Sequence, residues 1–167
     1  MDANALLVVG DGPVSEALVP MARLLGWSPT VAESMDDVQV ALPHAEAVVV
    51  TSHHADVDAP AIAAALAAAH EPGGEGPAYI GAMGSRRTQA RRREWLLAQG
   101  FAPEDLADLH GPAGLDIGAD APAEIALSIL AELVAVVRGV AVTGSLKDRG
   151  GPIHPDLPPG EAFCPTG

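Results

Sequence analysis

Two short glycine turns carry the residues of this sequence best suited to chemistry. In "VVGDGPVSEA" Gly10 and Gly12 follow an apolar run, and Pro13 and Val14 open the next segment. A first glycine permits a tight turn, and a second lets backbone N–H groups approach a pyrophosphate at a helix N-terminus. Ser15 stands where a third glycine would bring helix and strand together, so a slightly looser approach is expected. Glu33 lies 23 positions after Gly10, where an acid can take a ribose 2′-hydroxyl. The same spacing also suits a glycine turn that binds no nucleotide.

The second turn is "YIGAMGSRRTQARRR", with Gly81, Gly84, Ser85, Arg86 and Arg87. Five of the nine basic residues of the chain fall in it. Ser85 is a natural N-cap, which puts Arg86 and Arg87 in the first turn of a helix. Cations there oppose the helix dipole by about 0.3–1 kcal/mol each, and a bound anion reverses that sign. The alternative is that both side chains splay into solvent or pair with surface carboxylates. Arg91, Arg92 and Arg93, further along, read as a solvated or interface face.

"TSHHADVD" groups His53 and His54 with Asp56 and Asp58. Adjacent histidines on an extended segment point to opposite sides, which disfavours chelation, and no metal is assigned. His53 and His54 therefore either line a polar pocket or belong to a capped loop before a helix. "GPAGLDIGADAP" would form another glycine-lined wall with Asp116 as its polar group, or only a turn feeding the last helix.

The elements that must hold these turns alternate. "ALLVV", "SPTVAE", "EAVVVTS" and "AYIGAMG" read as strands, and helical segments follow Pro13, Ala59, Ser85 and Pro122. That order implies parallel pairing with right-handed crossovers: a doubly wound, mostly parallel α/β sheet with helices on both faces, Rossmann-like. Ile125, Ile129, Leu133 and Val137 form an i,i+4 line on the last helix, which suits core packing alone or burial against both the sheet and a second subunit. Residues 1–142 form the nucleotide- or cofactor-binding domain, and 143–167, with five Gly and five Pro, an irregular tail.

Composition narrows the partners. A net charge of −13 argues against nucleic acid and against an anionic membrane surface. The single cysteine, Cys164, makes no intramolecular disulfide, and no signal peptide or membrane span is visible, so a cytoplasmic protein is expected.

"YIGAMGSRRTQARR", "LHGPAGLDIGADAPAEIALSILAELVAVVRG" and a later "GPIH" together resemble the C-terminal Rossmann-like domain of the xanthine dehydrogenase accessory-factor family, the XdhC/CoxI type. The resemblance implies a molybdenum-cofactor chaperone that binds the cofactor, protects it and passes it to a molybdenum hydroxylase client. By position it assigns the cofactor turns to Gly10 and Gly12, to Gly81, Gly84, Ser85, Arg86 and Arg87, and to the segment around Asp116. Family members carry an upstream module with a cofactor-handling cysteine, to which Cys164 does not correspond, so a separate protein is expected to supply it. "TSHHAD" approximates the family's Thr-His-x-His pattern.

The expected function is thus molybdenum-cofactor maturation, with the pterin phosphate or NAD(P) as ligand and a homodimer as assembly. One rival is an NAD-dependent oxidoreductase on a small anionic substrate, with His53, His54 and Asp116 as its acid/base candidates. Against it, Lys147 is the sole lysine and no Tyr-x-x-x-Lys pairing exists. The other rival is a nucleotide-sensing or scaffold module without turnover.

Overall fold

The computed structural model describes residues 4–73 and 76–141. The predicted tail, Cys164 and the "GPIH" segment lie outside these residues.

Three strands set the architecture: β1 (Ala5–Val9), β3 (Ala47–Val50) and β4 (Tyr79–Ala82). Their side chains are buried almost throughout, as continuous apolar runs covered on both faces must be. Edge strands β2 (Ser28–Ala32) and β5 (Leu109–His110) complete a five-stranded sheet of order β2-β1-β3-β4-β5, parallel in every pair. Strand parity divides the core. Leu7, Val9, Val48, Val50, Ile80 and Ala82 face one layer, while Leu6, Val8, Ala47, Val49 and Tyr79 face the other.

The first layer is covered by α2 (Met35–Ala41), α3 (Ala55–Ala69) and α4 (Arg86–Ala98); the second by α1 (Pro13–Leu24) and α5 (Pro122–Val137). This is the doubly wound Rossmann-like arrangement expected. On α5, Ile129 and Leu133 of the predicted apolar line are buried in the domain's own core, and the helix packs along α1.

Local differences have local causes. The chain forms α2 where no helix is expected, because Ser34 caps it and Asp37 closes a capping box. Helix α3 starts at Ala55 rather than Ala59, with Pro60 inside it. At the β2 edge the Ser28 amide donates to Asn4 O, so by alternation the Pro29 nitrogen faces outward. A strand added there would lack one hydrogen bond.

Among the described residues, no helix is long and apolar enough to cross a membrane.

Candidate functional site

Because every strand pair is parallel, the loops after β1, β2, β3, β4 and β5 leave one edge of the sheet. Strand order places Glu33 beside Gly10, the His53 loop next, then the Arg86–Arg87 turn, then the loop bearing Asp116. The ends of β1 and β4 are two strand spacings apart, about 10 Å. The acidic molecule thus carries both glycine turns and the two first-turn arginines on one rim.

At the first turn the two glycines do different work. Gly10 has φ +114°, and a Cβ there would come within 2.7 Å of Ser52 N and 2.8 Å of Thr51 Oγ1. It lets the ends of β1 and β3 close on each other. Gly12 caps α1 with φ −71°, and a Cβ on it would meet nothing within 4 Å. Open space over a helix N-terminus is what an approaching phosphate requires. Pro13 occupies the first helical turn, and Val14 is buried beneath it.

Ser15 corrects the expectation of a loosened helix. Its side chain is buried, with Oγ 2.7 Å from Gly10 O and 2.6 Å from Thr51 Oγ1, which in turn lies 3.1 Å from Val9 O. Two hydroxyl protons are shared among these acceptors, stitching α1 to the ends of β1 and β3. Glu33 sits exposed just past β2, and its amide donates to Asp37 Oδ2 at 3.3 Å. Hydrogen bonds from the Ser34 hydroxyl and then the Glu33 and Ser34 amides hold the Asp37 carboxyl below the usual carboxylate range.

At the second turn Ser85 Oγ accepts from Thr88 N at 3.2 Å, the predicted N-cap. Arg86 and Arg87 follow, both exposed, with no acidic residue in that turn and no ion pair among the described residues. Gly84, at φ +137°, turns the chain between β4 and this cap. Gly81 lies inside β4, where a Cβ would overlap the Tyr79 ring, so its absence serves packing. Arg86 and Asp116 line one cavity of about 370 Å³ along the 112–119 loop, which Gly10 and Gly12 do not reach. His53 lines a different cavity, between α3 and α4, while His54 is the exposed N-cap residue of α3. No three His, Cys, Asp or Glu side chains converge as a metal-ligand group among the described residues.

Two polar constellations went unread in the sequence. Arg92, expected on a solvated or interface face, is buried: Nη1 donates to Met83 O at 2.6 Å and Nη2 to Asp58 Oδ2. Gln89 Nε2 donates to Ala82 O at 2.8 Å, so α4 satisfies the carbonyls where β4 ends. The second constellation centres on Glu132 of α5. Its Oε2 accepts from the Tyr79 hydroxyl at 2.7 Å and the Gly114 amide at 2.8 Å, and its Oε1 lies 3.4 Å from His110 Nδ1. Burial pushes the Glu132 carboxyl up, but the hydrogen bonds from His110, Gly114 and Tyr79 outweigh it and hold it below the usual range. Burial, with Glu132 as acceptor and neighbouring charge, raises the Tyr79 hydroxyl far above an ordinary phenol.

Comparison with known proteins gives consistent matches. The family described as the XdhC Rossmann domain matches residues 6–133. The uncharacterized protein YqeB of Escherichia coli strain K12 is 44% identical over 59 residues, covering 35% of this chain and 11% of that protein. A crystal structure described as a xanthine dehydrogenase from Bacillus halodurans superposes with a TM-score of 0.59 at 25% identity. That alignment covers 86% of this chain and 45% of the other, so this chain spans less than half the length of either protein.

Proposed function

This chain belongs to the XdhC Rossmann-domain family, and from that premise we propose that it is an accessory domain for a xanthine dehydrogenase-type molybdenum hydroxylase. It binds the phosphate of a nucleotide or of the pterin cofactor as cargo rather than turning it over. The observation that carries the reading is the rim itself. Open space over the Gly12 cap and two arginines at the α4 cap, without an ion pair among the described residues, lie on one edge of a strongly acidic protein.

In this reading the α1 N-terminus receives one phosphate through the turn at Gly10, Gly12, Pro13 and Val14, and Glu33 takes a ribose hydroxyl. Ser85, Arg86 and Arg87 hold a second anionic group through charge-assisted hydrogen bonds. Gly84 shapes that turn, Gly81 supports it from within the strand, and Asp116 faces the same side as Arg86. His53 and His54 flank the middle of the rim. The client hydroxylase, a separate chain supplying the upstream module, a homodimer and a cytoplasmic location complete the proposal. Support for the hydroxylase is the family match and the description of the Bacillus halodurans structure.

Calorimetric titration of NAD, NADP and a pterin phosphate into the protein and its Arg86→Ala/Arg87→Ala variant tests the reading. Both side chains are exposed, so the variant should fold normally and bind the preferred ligand about tenfold or more weakly. Unchanged affinity removes the second turn from the site. NADH oxidation with any small anionic substrate would replace the cargo reading with the oxidoreductase one.

A further inference from the structure

A second cavity lies in the cleft between α3 and α4, with His53 of the loop after β3 also in its lining. Helix α4 supplies Thr88, Arg91, Arg92 and Trp95, spaced i, i+3, i+4 and i+7, which places them on one face. Helix α3 supplies Ala55, Asp58 and Ala59, so the side chains meeting that face are mostly small. The two helices therefore do not interdigitate here, and a space of about 380 Å³ remains. A surface cleft of this volume falls in the size range of small-ligand sites.

Its lining is chemically specific. The lower wall is the Asp58–Arg92 pair, with side chains only 9% and 4% exposed. The pair is incompletely satisfied: Asp58 Oδ1 and Arg92 Nε are both buried and without a hydrogen-bond partner. Both atoms are out of reach of solvent, so the pair forms this wall without presenting either of them to the cleft. Trp95, one of only two tryptophans, leaves 37% of its surface exposed at the wall. Asp58 already neutralises Arg92. Arg91, exposed and without an ion pair among the described residues, is the one unspent guanidinium of the lining.

We propose that this cleft binds a small planar aromatic anion, with its ring against Trp95 and its single negative charge on Arg91. Each part follows from a different group. A flat aromatic face selects a flat ring, and a guanidinium fork selects a carboxylate or similar planar oxyanion. One available cation selects one charge. The inference is independent of the rim reading, since none of its anchoring residues serves the phosphate turns.

Titration calorimetry on the full chain tests it with three probes: orotate, which has the ring and the charge; uracil, which has the ring without the charge; and acetate, which has the charge without the ring. Orotate should bind saturably, with uracil and acetate about tenfold weaker or worse. Arg91→Ala and Trp95→Ala should each weaken orotate about fivefold or more, whereas Arg86→Ala/Arg87→Ala should leave it unchanged. The last comparison separates failure of this site from failure of the rim site. Thermal melts of the two cleft variants confirm that each is folded. Absence of saturable orotate binding, acetate binding as tightly as orotate, or orotate affinity that survives both cleft substitutions would overturn the proposal.

Discussion

The buried pair of Asp58 and Arg92 links α3, α4 and the end of β4, and cutting it in three ways measures what it does. In Asp58→Ala the guanidinium stays in a site where its side chain is only 4% exposed, with Met83 O as its remaining acceptor. In Arg92→Ala the carboxylate is left 9% exposed with no partner, and Met83 O loses its donor. Breaking a buried pair from one side costs about 3–5 kcal/mol, because an uncompensated charge remains. A domain of this size unfolds with about 5–15 kcal/mol, so either variant loses about a fifth or more of its stability. The melting temperature should fall by about 10 °C.

The double variant Asp58→Leu/Arg92→Met removes both charges and restores apolar volume. It should recover most of the loss, since a well-packed apolar replacement of a buried pair is often neutral. Urea denaturation of the wild type, both singles and the Asp58→Ala/Arg92→Ala double, at low and high salt, gives the coupling energy, expected at about 2 kcal/mol or more. Salt should change it little, because a buried pair is poorly screened. Single losses under about 1 kcal/mol, as exposed pairs show, or a double variant as unstable as the summed singles, would refute the reasoning.

The two glycines of the first turn should separate fold from ligand. Gly10→Ala forces a side chain into φ +114° and against Ser52 N, and should cost about 2 kcal/mol or more. Gly12→Ala, at φ −71° with open space beside it, should cost less than about 1 kcal/mol while weakening phosphate binding. Thermal melts and titrations of both check this, and equal destabilisation would contradict it. The Glu132 carboxyl is held below its ordinary value of 4.5, so the stability it adds is complete above that pH and fades as the pH falls through its lowered folded-state value. The melting-temperature advantage of wild type over Glu132→Gln should therefore shrink in acid; a pH-independent difference would show that the carboxylate charge plays no part.

Local and apolar features were legible in the sequence. "LLVV" and "AVVV" read as strands buried on both faces, and Pro13 and Ser85 mark helix starts through chemistry confined to three or four residues. The rim followed from topology alone, since parallel strands deliver successive loops to one edge. Helix α2 escaped notice because it is seven residues long and buries only Val38, too little for a periodicity to register. The sequence places the start of α3 at Ala59, four residues past its true start at Ala55. Strand β5, two residues long, carries no pattern of its own. The polar constellations were invisible for another reason: Asp58 and Arg92 are 34 residues apart, Tyr79 and Glu132 are 53 apart, and no local rule joins them.

Helix α4 shows how much meaning such a run can hide. Its buried side chains are only Arg92 and Leu96, so the segment reads as polar all round. Yet a turn of about 100° per residue sends its arginines to different work. Arg86 and Arg87 project from the first turn at the rim, Arg92 turns inward to meet Asp58 and Met83, and Arg91 borders the cleft. A guanidinium can serve inside the domain only where a carboxylate and a carbonyl already wait, and Asp58 and the end of β4 provide both at the angle of Arg92 alone. The functional division of the basic run is therefore set by what α3 and β4 present to each face of α4, which is why charge content identified the helix but could not rank its arginines.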